Sequence, residues 1–175
     1  LHNSRPVLSA SGLALSSADA FLTPLGPVEI DHDLDEALLA YPHVQVFDAT
    51  HTQEHSLEVH IPFLQVLLSD FKLLPIVVGQ ATPAEVGDVL ERVWGGPETL
   101  IVVSSDLSHY LDYDAACAID QRTSDAIEHL DANAIDAHQA CGRMPVKGLL
   151  EVAKRKGLQV RTLDLRNSGD TAGSH

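Results

Sequence analysis

The sequence predicts an α/β domain with a mostly parallel or mixed central sheet and helices on both faces. Three observations carry that expectation. Short apolar runs ending in small residues, Lys72 to Val78 and Leu100 to Ser104, read as strands buried on both faces. Segments of helical periodicity alternate with them. Hydrophobic residues make up 45% and charged residues 21% of 175 residues, which is enough apolar material for a core and excludes disorder, collagen and coiled coil. No repeat or low-complexity stretch breaks the chain, so residues 1–175 read as one domain.

The elements follow in order. Gly12 to Ser16 and Val28 to Ile30 read as short strands, with a turn at Thr23-Pro24-Leu25-Gly26. Asp31 to Ala40 opens with acids and ends in leucine and alanine, a short helix whose acids favour its N-terminus. Val44 to Phe47 reads as a strand. From Glu54 to Leu68, apolar residues occupy a face so broad that a mostly buried helix is expected, kinked or broken at Pro62, which frees the carbonyl of Glu58. Pro83 to Trp94 is an amphipathic helix. Tyr113 to Leu130, Ala132 to Ala140 and Pro145 to Arg155 read as helical, and Gln159 to Leu163 as a last strand.

Charge and cysteine content narrow the function classes. Eleven Lys+Arg against 25 Asp+Glu give a net charge of −14, which a nucleic-acid backbone or an anionic membrane would repel. The longest apolar runs are too short to span a bilayer. Two cysteines allow at most one disulfide, so a reducing, cytoplasmic setting is expected. No P-loop, nucleophile elbow or dinucleotide fingerprint is present, and nucleotide cofactors have no support.

In an α/β domain the loops leaving the carboxyl ends of strands build the site. By that rule the stretch Val103-Ser104-Ser105-Asp106-Leu107-Ser108-His109 is the foremost candidate. A carboxylate three residues from an imidazole orients the ring and favours its charged form, so Asp106 and His109 are candidate acid/base residues. The bland alternative makes Asp106 a cap and His109 a surface residue. Ten histidines are unevenly placed, with His51, His55 and His60 crowded beside Glu54 and Glu58. Glu54 and His55 are candidate pocket residues, or else a helix cap and its neighbour; a structural role is the expectation for His51 and His60. Cys141, just ahead of a helix, is a candidate metal ligand or nucleophile, because the helix N-terminus eases loss of its proton. Otherwise it is a small buried residue, as expected of Cys117. The segment Arg166 to Gly173 lines a pocket or forms a plain loop.

Several stretches taken together resemble the Memo family, whose bacterial and archaeal members are called AmmeMemoRadiSam system protein B. They are Glu54-His55-Ser56-Leu57-Glu58-Val59-His60-Ile61-Pro62, Val103-Ser104-Ser105-Asp106-Leu107-Ser108-His109-Tyr110, Cys141-Gly142-Arg143-Met144-Pro145 and Asn167-Ser168-Gly169-Asp170-Thr171, in the family's order. Ala14 to Asp19 and Thr23-Pro24-Leu25 also match. The resemblance implies a fold similar to class III extradiol dioxygenases, which use non-haem iron. It also implies a metal pocket of two histidines and the cysteine of Cys-Gly-Arg, which makes Cys141 a ligand and places Asp106 and His109 beside it. His2 is the match to the family's second histidine. Iron, copper or zinc suits such donors, and a cysteine in place of a carboxylate argues against ordinary ring cleavage. Radical-SAM and Amme-type proteins are the partners implied, and the oligomeric state is left open. A non-catalytic adaptor with a vestigial pocket is the competing reading. The family's Pro-His-Ala-Gly-Tyr motif and its strand after Ser-Gly-Asp-Thr have no counterpart, so the domain is expected to lack an N-terminal βαβ region and to be trimmed at its C-terminus. An exposed sheet edge and weakened metal binding would follow.

Overall fold

The computed structural model describes residues 2–3, 11–52 and 54–172. In chain order these hold β1 (His2–Asn3), β2 (Leu13–Leu15), β3 (Ala20–Thr23), β4 (Gly26–Glu29), α1 (Asp35–Leu39), β5 (Val44–Val46), α2 (Asp48–Thr52) and α3 (Ile61–Leu67). Then come β6 (Val77–Val78), α4 (Pro83–Arg92), α5 (Tyr113–Glu128), a 3-10 turn (Ala132–Ala134), α6 (Arg143–Arg155) and α7 (Ser168–Ala172).

The fold is mixed α/β, and its main sheet is mixed as well, in the order β1-β6-β2-β5. β1 runs parallel to β6 and β2 parallel to β5, but β2 meets β6 antiparallel, Leu13 opposite Val78. Strands β2 and β6 read as continuous apolar runs because they are covered on both sides: Leu13, Ala14, Leu15, Val77 and Val78 are buried. The β3–β4 hairpin forms at the expected turn, where the Thr23 hydroxyl donates to the Gly26 carbonyl at 3.0 Å.

α4 and α6 pack together over this sheet. Val86, Val89 and Leu90 of α4 share the main core with Val152 of α6 and with Leu13, Leu15 and Val78. Gly148 permits the contact: a Cβ there would lie 2.5 Å from Val86 Cγ1. α4 is secured at its start by a capping box, in which Thr82 Oγ1 accepts from the Glu85 amide at 3.2 Å and Glu85 accepts from the Thr82 amide at 2.7 Å.

Several expectations need correction. The run 100–104 is not a strand; Ile101 and Val103 pack against the core, but the segment belongs to neither sheet. The run 159–163 is irregular too. Apolar content supplies a packing face, whereas strand geometry also needs a neighbouring ladder, which sequence composition does not specify. Residues 132–140 hold only the 3-10 turn, because the Asp131 side chain accepts from the Asn133 amide and that of Asp136 from the His138 amide, and such bonds compete with a helix.

The segment from Glu54 is turns up to His60, and α3 begins at Ile61 with Pro62 in its first turn. Proline starts this helix rather than kinking it. Its expected burial also fails. Ile61 is buried, but Phe63, Val66 and Leu67 are 72%, 74% and 78% exposed, since the described residues cover only one side of an apolar helix. Among the described residues no helix is long and apolar enough to cross a membrane.

Candidate metal centre

The 105–109 segment is anchored by its single apolar residue. Leu107 packs into a second core cluster with Ala126 of α5, Ile135, Ala140 and Leu150 of α6. With Leu107 turned inward, Asp106 and His109 project outward on either side, both exposed. The Ser108 amide donates to Asp120 Oδ1 on α5 at 2.9 Å, pinning the far end of the segment. The near end is held by Ser105, whose Oγ accepts the Gly142 amide at 2.9 Å.

Cys141 stands just before α6, whose N-cap is Gly142. The Cys141 amide donates to the Asp106 carbonyl at 3.1 Å, and the Asp106 amide donates to Cys141 Sγ at 3.3 Å. Gly142 makes this approach achievable, since a Cβ there would lie 2.6 Å from the Ser104 carbonyl oxygen. The Asp106 amide thus fixes the direction of the sulfur at the start of α6.

The result is a cluster of three donor types. One ligand atom each from Asp106, His109 and Cys141 lies within 4.8 Å of the others. His109 Nε2 is 3.7 Å from Asp106 Oδ2. Its Nδ1 sits 2.9 Å from the Leu107 carbonyl, which can only accept, so Nδ1 carries a proton and Nε2 is the ring atom left to meet a metal. A metal-binding imidazole is commonly prepared in this way by a carbonyl on its other nitrogen. Carboxylate, imidazole and thiolate together suit a borderline divalent metal.

Beside the cluster lies a cavity of about 870 Å³ between residues 105–111, the start of α5 and residues 164–171. The Arg166 segment therefore lines a pocket, one of the two roles open to it. It is tied to α5 by Tyr113, whose hydroxyl donates to Asp170 Oδ1 at 2.7 Å, and by Asn167, whose side-chain amide donates to Cys117 Sγ at 3.4 Å. The hydrogen bond to Asp170 and then the neighbouring Cys117 push the Tyr113 hydroxyl up to about 12. The Asn167 amide and then the Tyr113 hydroxyl hold Asp170 below the ordinary carboxylate range.

With this geometry in view, the comparison with known proteins is specific. A family model described as Memo-like protein matches residues 6–175. The chain belongs to the Memo-like family. It is 37% identical over 177 residues to a MEMO1 family protein of Aquifex aeolicus (strain VF5), covering 93% of this chain and 65% of that one. It is 38% identical over 170 residues to a MEMO1 family protein of Methanococcoides burtonii, with 90% and 64% covered. A MEMO1 family protein of Aeropyrum pernix is 36% identical over 178 residues, with 93% and 63% covered. The chain thus spans just under two thirds of the length of these curated relatives.

Among the other candidate residues of this Memo-like chain, Glu54 and His55 do not line the cavity. Glu54 Oε1 accepts from the His55 and Ser56 amides at 2.8 and 3.0 Å, which ties down the turn that follows it. His55 is exposed, its Nδ1 2.8 Å from Glu58 Oε1. His2 lies in β1, and its side chain falls outside the described residues. His51 has a structural place, with Nε2 3.2 Å from the Ala14 carbonyl, and burial lowers its pKa. Sequence reasoning assigned no role to Asp120 and missed the cross-connection through Ser105. Both act across the fold, and only the glycine of Cys-Gly-Arg hinted at a close backbone approach.

Proposed function

We propose that this Memo-like chain binds a divalent transition metal where Asp106, His109 and Cys141 converge. The observation that supports the reading is their approach within 4.8 Å from two segments far apart in sequence. A metal held there would act as a Lewis acid and polarise a bound water or a substrate oxygen. The protein's own contributions are separable. Leu107 fixes the proton of His109 on Nδ1, which aims the lone pair of Nε2 at the centre. The Asp106 amide orients Cys141 Sγ. Residues 164–171 shape the adjoining cavity where a ligand would sit.

The relation to class III extradiol dioxygenases, with iron as the metal and His2 as a further ligand, belongs to this proposal and rests on the family resemblance. So do the radical-SAM and Amme-type partners. One observation favours a second assignment for His109. Its Nε2 can bind a metal or carry a proton but not both at once, and Asp106 at 3.7 Å suits an acid/base role beside a metal held by Cys141 and His2.

Cobalt titration of His109→Ala and Asp106→Asn distinguishes the assignments. At least a tenfold loss of affinity in both variants supports direct coordination. Unchanged affinity in both removes them from the ligand set and leaves the proton-carrying role.

A further inference from the structure

We infer that Ser105 is the positioning residue that holds Cys141 in place for metal binding; the inference rests on the metal reading above. A serine hydroxyl has one proton and two lone pairs. Here a lone pair takes the Gly142 amide at 2.9 Å, and the proton goes to the Asp106 carbonyl at 2.8 Å. That same carbonyl accepts the Cys141 amide at 3.1 Å, and the Asp106 amide closes the circuit onto Cys141 Sγ at 3.3 Å. Ser105 Oγ itself lies 3.9 Å from the sulfur.

Two features make Ser105 the organising member of this clasp. Gly142, the N-cap of α6, has no side chain with which to cap the helix, and the acceptor for its amide comes from a residue 37 positions earlier in the chain. Ser105 therefore caps α6 from another segment while joining it to the Asp106 backbone. The approach is also tight: a Cβ on Gly142 would meet Ser105 Cβ at 2.8 Å and Oγ at 3.0 Å. Alanine at 105 removes both hydrogen bonds. Threonine keeps the hydroxyl.

The test compares wild type, Ser105→Ala and Ser105→Thr by amide hydrogen exchange without metal and by cobalt titration. In Ser105→Ala the Cys141 amide, which does not bond to Ser105, is expected to exchange at least about tenfold faster, while amides of α4 keep their wild-type rates. Cobalt affinity should fall about 10- to 100-fold, the usual consequence of losing an outer-shell partner, with a weakened thiolate-to-cobalt absorption band. Ser105→Thr should restore both. Wild-type protection at Cys141 together with an unchanged band in Ser105→Ala would overturn the inference. If wild type shows no thiolate band yet the Cys141 amide accelerates in Ser105→Ala, the metal reading fails and the positioning of Cys141 by Ser105 stands.

Discussion

Asp106 and Cys141 hold each other by two backbone donors: the Cys141 amide reaches the Asp106 carbonyl at 3.1 Å, and the Asp106 amide reaches Cys141 Sγ at 3.3 Å. The pair joins the Ser-Ser-Asp-x-x-His segment to the start of α6, two stretches brought together by tertiary packing. Leu107 and Leu150 support it from beneath, in one apolar cluster. Burial of apolar side chains thus sets the relative position of the polar ones.

Gly142→Ala tests the closeness of that junction. The Gly142 backbone, at φ −90°, suits alanine, so any penalty comes from the Cβ that would lie 2.6 Å from the Ser104 carbonyl oxygen. A backbone oxygen cannot rotate away. Denaturant unfolding should show a loss of about 1–3 kcal/mol, and metal affinity should fall with it. Wild-type stability in this variant would show that the two segments have room to spare.

Gly148→Ala tests the packing of α4 on α6. Alanine improves helix propensity by about 0.5–1 kcal/mol, yet its Cβ would lie 2.5 Å from Val86 Cγ1. Overpacking of about 1–3 kcal/mol should win, making the variant less stable. Val86 Cβ would lie only 2.6 Å away as well, so the partner substitution must be Val86→Gly, and Val86→Gly combined with Gly148→Ala should lose less stability than the two single losses added together. A double-mutant cycle with no coupling would contradict the contact.

The arrangement was partly legible in the sequence, and the dividing line is physical. α4 and α6 could be read because apolar periodicity is a local signal. Asp106 and His109 were legible as a pair because they stand three positions apart just after an apolar run. The strands expected over 100–104 and 159–163 failed because a ladder depends on a distant neighbour. The exposure of Phe63, Val66 and Leu67 was invisible for the same reason, since periodicity shows what a helix can bury and not what arrives to cover it. Cys141 joined the site through the family resemblance, and the role of Ser105 required coordinates.

His51 supplies a pH dependence. Burial lowers its folded pKa below the ordinary 6.5. As pH falls through 6.5 the unfolded chain takes up this proton first, so unfolding becomes easier. Stability should therefore decline as pH drops from about 6.5 toward the lower folded value, and the His51 contribution should level off below it. His51→Gln keeps a donor for the Ala14 carbonyl and should reduce that decline. The check is urea unfolding of both proteins across this range; parallel curves would contradict a half-buried imidazole with a lowered pKa.

The most direct measurement is cobalt titration of the wild-type chain against Cys141→Ala, followed by absorption and calorimetry. One equivalent should bind with a thiolate-to-cobalt band, and Cys141→Ala should lose the band and bind at least about tenfold more weakly. Equal affinity in Cys141→Ala, or a bound wild-type spectrum with no sulfur contribution, would contradict a metal centre at Asp106, His109 and Cys141.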